Sequence, residues 1–176
     1  MRPAWPSAWG VFGVLALLVE AILRLAPAAL EPLRAGTLTL EQGFAYAGVV
    51  VFFGVVEGYR GFQRAFSPRA AARAVWLDRE PCPLPWRFLA PLFCMALIVA
   101  APRRLVINWL LVGGIVGLIY LVRLLPSPWR ALVDGGVVVG LSWGAVSLLV
   151  FYRRALLGDD PGTPLELPDQ KLARSR

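Results

Sequence analysis

Three acid–arginine pairs stand within or at the edge of otherwise apolar runs. Glu20 precedes Arg24 by four residues, Glu57 precedes Arg60 by three, and Arg130 precedes Asp134 by four. At those spacings the two side chains share one face of a helix and neutralise each other locally. A charge inside an apolar span is costly, so each pair is a candidate for ion handling, proton transfer or headgroup binding. The plainer expectation is that self-paired charges only fix the depth and rotation of a helix. Arg123 differs, because no acid lies three or four residues from it. It needs a partner from another helix or a lipid phosphate.

The rest of the reactive inventory is thin. There is no histidine, which removes His-ligated haem, His-based metal sites and His acid–base chemistry. The single lysine, Lys171, stands in a polar tail and cannot be a buried Schiff-base lysine. Cys82 and Cys94 form no CxxC motif, and Cys94 within an apolar run reads as a small packed hydrophobe. No triad, carboxylate dyad or metal site can be assembled from what remains. The sequence therefore leans away from an enzyme and calls for no cofactor.

Composition indicates what must hold these residues in place. Of 176 residues, 58% are hydrophobic and 16% charged. The apolar residues come in long runs without a periodic polar face, the pattern of membrane spans. The fold expected is an all-α, polytopic membrane helix bundle, a single domain over residues 1–157 with a flexible polar tail over 158–176. The net charge of +7 lies in arginines that flank the apolar runs. Such placement points to anionic lipid headgroups rather than to nucleic acid.

The first span runs from Trp9 to about Ala29, with Trp5 and Trp9 as interfacial anchors, and suits a retained helix better than a cleaved signal peptide. A polar connection, Glu31 to Gln42, leads to a second span from about Gly43 to Arg60. Ser67 and Pro68 form an N-cap and first-turn pair, predicting a cytoplasmic interfacial helix from about Pro68 to Arg79. Leu105 to about Leu125 and about Trp129 to Phe151 are two further spans, separated by the "PSP" at 126–128.

Phe88 to Ala101 is the ambiguous run, at 14 residues. A helix started at Leu84 or Pro85 gains enough length to cross a thin region, at about 1.5 Å per residue. With five spans and a cytoplasmic N-terminus, nine basic residues fall inside and eight outside, with Arg24 in the membrane. With four spans the division is 14 to 3, which the positive-inside rule favours. Against that, the run has no polar face for lying in the interface, and "APRRL" offers little return path for a re-entrant loop. Five spans are therefore expected, with four as the alternative.

Glycines recur at four-residue spacing: Gly54 and Gly58, Gly113 and Gly117, and Gly136, Gly140 and Gly144. In lipid, close backbone contact through small residues holds helices together. With five spans, Glu57, Tyr59, Arg60, Arg123 and Asp134 would gather near the inner leaflet, as a bundle contact, a headgroup site or part of a solute path. Glu20 with Arg24 is the deepest ion pair. The function these features predict is a non-enzymatic accessory, assembly or scaffold subunit of the bacterial cytoplasmic membrane, N-terminus cytoplasmic. Its partners would be membrane lipids and a second membrane protein or further copies of itself. The alternative is a small oligomeric transporter or channel using Glu20, Arg24 and Glu57.

Overall fold

A computed structural model describes residues 5–79, 84–159, 162, 163, 165 and 167. Cys82 and most of the polar tail, Lys171 included, lie outside them. Every regular element among the described residues is helical: α1 (Trp5–Arg34), α2 (Leu40–Phe53), a π-helical stretch (Gly54–Phe66), α3 (Ser67–Arg79), α4 (Leu84–Phe88), α5 (Ala90–Cys94), α6 (Pro102–Arg123) and α7 (Trp129–Leu156). From α2 to α3 the helix is unbroken over Leu40–Arg79, 40 residues. Among the described residues, that long helix, α1, α6 and α7 are the four helices long and apolar enough to cross a membrane.

The long helix opens on a capping box. Thr39 Oγ1 accepts from the Gln42 N–H at 3.3 Å, and Gln42 Oε1 accepts from the Thr39 N–H at 3.0 Å. Two otherwise orphaned first-turn donors are thereby satisfied, so the helix begins at Leu40 rather than near Gly43. The helix expected from about Pro68 to Arg79 is present as α3, but it is continuous with the helix before it, so Ser67 and Pro68 do not start a separate one. They mark the place where π winding returns to α, since Pro68 has no N–H with which to continue the wider ladder. The α3 helix buries Ala70, Ala71, Ala74, Val75 and Leu77, against the expectation of an apolar face lying in lipid.

The chain divides into two compact units. In the unit made of Leu15–Ala65 and Val116–Ser147, the second long helix packs along α7 through glycines. A Cβ added to Gly136 would fall 2.7 Å from Phe53, one on Gly140 2.8 Å from Glu57, and one on Gly144 2.6 Å from Phe62. Each glycine is thus the floor for one side chain of the opposing helix, the close approach that small residues permit. Residue numbers rise together on both helices, so the two run parallel.

The other unit comprises Met1–Val14, Phe66–Ile115 and Leu148–Arg176. Here the expected third helix does not form. The apolar run folds as two short helices, α4 and α5, and then as turns and bends through Ala100, with Ala96 at φ 53° and Val99 at φ 51°. Left-handed backbone is costly for a residue with a Cβ, most of all a β-branched one, and persists only where surroundings hold it. The surroundings here are explicit. Asn108 Nδ2 donates to the carbonyls of Met95 and Ala96, Trp109 Nε1 to Leu97, and Arg73 Nη2 to Ile98 and Val99, all at 2.9–3.2 Å. Five consecutive carbonyls that a helix would have satisfied locally are taken by side chains instead.

Candidate functional site

The polar groups collect in two places, one in each unit. In the unit built on α2 and α7 they form a seam along the parallel contact. At one end Tyr46 donates to the Ala29 carbonyl at 3.1 Å and its hydroxyl lies against Gly135. Next to that glycine, Asp134 is 4% exposed, with Arg130 Nε 3.6 Å from its Oδ2. Eleven residues further along the helix, Glu57 rests on Gly140. Beyond it Trp143 lies over Gly58 and donates its indole N–H to Gln63 Oε1 at 2.6 Å.

The π winding is what brings Gln63 to this line. Nine residues separate Gly54 from Gln63, which in an α-helix is two and a half turns and would turn the amide to the opposite face. Bonding from i to i+5 lengthens each turn beyond four residues, so nine residues come to about two turns. Gly54, which has Val139 at 3.7 Å from its added Cβ, and Gln63 then both face α7. Stretches of π-helix concentrate where side chains must be re-aimed for a purpose.

Two carboxylate oxygens on this seam are buried without a hydrogen-bond partner, Glu57 Oε2 and Asp134 Oδ2. Arg60, Tyr59 and Arg123 do not join them: all three are exposed, and Tyr59 instead has the Arg64 guanidinium 5.9 Å from its ring centre. Glu57 and Asp134 meet different stretches of the helix pair. Glu20 and Arg24 form their expected ion pair on α1, pointing outward. Gly113 and Gly117 face open space, with no atom of another element within reach of an added Cβ, unlike Gly54, Gly58, Gly136, Gly140 and Gly144.

In the other unit the organising residue is Arg73, 2% exposed. Besides Ile98 and Val99 its guanidinium donates to the Phe93 carbonyl at 2.6 Å and the Leu165 carbonyl at 2.7 Å, and lies 4.1 Å from the centre of the Phe93 ring. Trp76 and Trp86 stack on that same ring, at 5.5 and 6.4 Å between centres. A planar, permanently charged fork with five donors is the one side chain able to gather carbonyls from so many directions. Nearby, Asp78 Oδ1 accepts from the Ser7 N–H at 3.1 Å, supplying the first turn of α1 with a cap from a distant helix. Ser7 Oγ and the Tyr152 hydroxyl are 3.0 Å apart.

Sequence reasoning passed over Tyr46, Gln63, Arg73, Asp78 and Asn108. Arg73 did carry a signal. It stands among Ala70, Ala71 and Ala74, small residues that let other backbone come close enough to be grasped. Gln63 carried none at α-helical period. Among the described residues no group of acidic or thiol side chains is arranged to hold a metal. Compared with family models, curated proteins and solved structures, the chain matches none.

Proposed function

We propose that this is a four-span, non-enzymatic protein of the bacterial cytoplasmic membrane, with both ends in the cytoplasm, working as an accessory or assembly subunit through helix packing. The parallel run of the second helix and α7 supports four crossings. Two parallel spans must be separated by an odd number of others, and α6 alone fits that requirement. The folding-back of residues 88–101, its carbonyls held by Arg73, Asn108 and Trp109, supports a segment that enters the membrane side and returns without crossing. Irregular backbone at such depth is tolerated where protein buries it. Charge agrees: four crossings leave only Arg34, Arg123 and Arg130 outside. On this topology Arg123 and Asp134 belong to the outer side.

The observation that carries the functional reading is the contact of Glu57 with Gly140. The most conspicuous acid of the sequence is pressed against backbone, in a seam whose glycines are each filled by a side chain. Such a seam transmits packing, not solute. Purified protein in liposomes is expected to leave an imposed pH gradient intact, and purification from native membranes to retain a stoichiometric membrane-protein partner. A second reading has one observation in its favour. Two buried carboxylate oxygens without a hydrogen-bond partner on one helix pair, Glu57 Oε2 and the Asp134 Oδ2 that has only Arg130 at 3.6 Å, are what a proton relay would contain. Collapse of the gradient by the wild-type protein, abolished in Glu57→Gln, would establish that relay and displace the packing role.

A further inference from the structure

Glu20 and Arg24 stand near the middle of the 30 residues of α1, yet their side chains are 54% and 75% exposed. Leu17 and Leu23 beside them are exposed as well. A carboxylate offers about four acceptor sites and a guanidinium five N–H donors, so one contact between them leaves most of this capacity unused. Facing hydrocarbon, that remainder is costly.

We propose that this face of α1 is covered by the same face of a second copy of the chain. The face carries one acid and one base a single turn apart, which makes it complementary to itself. About a two-fold axis along the membrane normal, Glu20 of one copy meets Arg24 of the other, and the reverse contact follows by symmetry. The offset in depth is ~6 Å, four residues at about 1.5 Å each, the span the pair already bridges within one helix. Four charges then close a ring at mid-membrane. Ala16, exposed one turn before Glu20, leaves room for the two backbones to approach. The inference rests on α1 crossing the membrane, as proposed above.

The test exploits the symmetry. Glu20→Arg and Arg24→Glu each put like charges on both copies, so each variant alone is expected to lose self-association in lipid nanodiscs by ~10-fold or more, the scale of two interhelical polar contacts in lipid. Co-expressed with different tags, the two variants are expected to purify together, because the all-basic face now meets an all-acidic one. A monomeric wild-type protein, single variants that associate as well as wild type, or a photo-crosslinker at Leu17 that captures lipid or a different protein would each overturn the proposal. Should the charge variants fail to fold even together, Ala16→Leu keeps both charges and obstructs only the contact. Its retention of the dimer would equally overturn the proposal, and its loss would support it. A reporter after Arg34 on the periplasmic side, read in every variant, keeps failure of the dimer distinct from failure of the crossing.

Discussion

Glu57 lies on Gly140, and a methyl group added to that glycine would stand 2.8 Å from the carboxylate Oε2 and 3.1 Å from the glutamate Cβ. The carboxylate end can swing aside; the Cβ is fixed to the helix. The acid that ends an apolar run is therefore first a packing element, whose buried Oε2 has no hydrogen-bond partner.

Gly140→Ala is expected to destabilise the protein by about 1–3 kcal/mol, the usual range for overpacking. Gly140→Leu should prevent proper assembly. Gly113→Ala should be neutral or slightly stabilising, since its added methyl meets nothing and glycine is a poor helix former. Melting in detergent of the three variants side by side checks the contrast. Equal behaviour at 113 and 140 would show that the seam does not govern stability.

Glu57→Gln is expected to keep or raise the melting temperature. It removes an ionisable carboxyl whose buried Oε2 has no hydrogen-bond partner, while preserving the shape that fills the space over Gly140. Because Arg60 is exposed while Glu57 rests on Gly140, adding Arg60→Gln should neither rescue nor worsen the single change. A double-mutant cycle on folded yield measures this directly. A coupling beyond ~0.5 kcal/mol would mean that the two are paired after all.

Arg73→Met is expected to be the most damaging single change in the chain's other unit. It strands the carbonyls of Phe93, Ile98, Val99 and Leu165, each costing about 1–3 kcal/mol where buried and left unbonded. The melting temperature should fall by roughly 10 °C or more. Arg73→Lys should recover only part of the loss, because a point charge cannot reproduce the fork. Hydrogen exchange across residues 93–99 localises the effect; unchanged protection there in Arg73→Met would refute the clamp.

Reporters fused after Arg73, Arg104 and Arg154 are all expected to read cytoplasmic, and those after Arg34 and Arg123 periplasmic. A periplasmic signal after Arg104 and Arg154 would restore a crossing at residues 88–101.

The membrane class and the long apolar helices were legible in the sequence for one reason. A helix satisfies its own backbone within a few residues, so local runs and local caps are enough to announce it. The charge count favoured four spans, although the length of the run at 88–101 argued for five. What that run would do could not be read locally. Its carbonyls take their donors from Arg73, 20 or more residues earlier, and from Asn108 and Trp109, about a helix length later. The same holds for the contacts that Gly54–Phe66 makes with α7, and for the glycines, of which 136, 140 and 144 meet side chains while 113 and 117 do not. Periodicity shows that a residue has a face. Only the tertiary structure decides what stands opposite, because in lipid the choice between helix faces depends on close contact rather than on hydrophobicity.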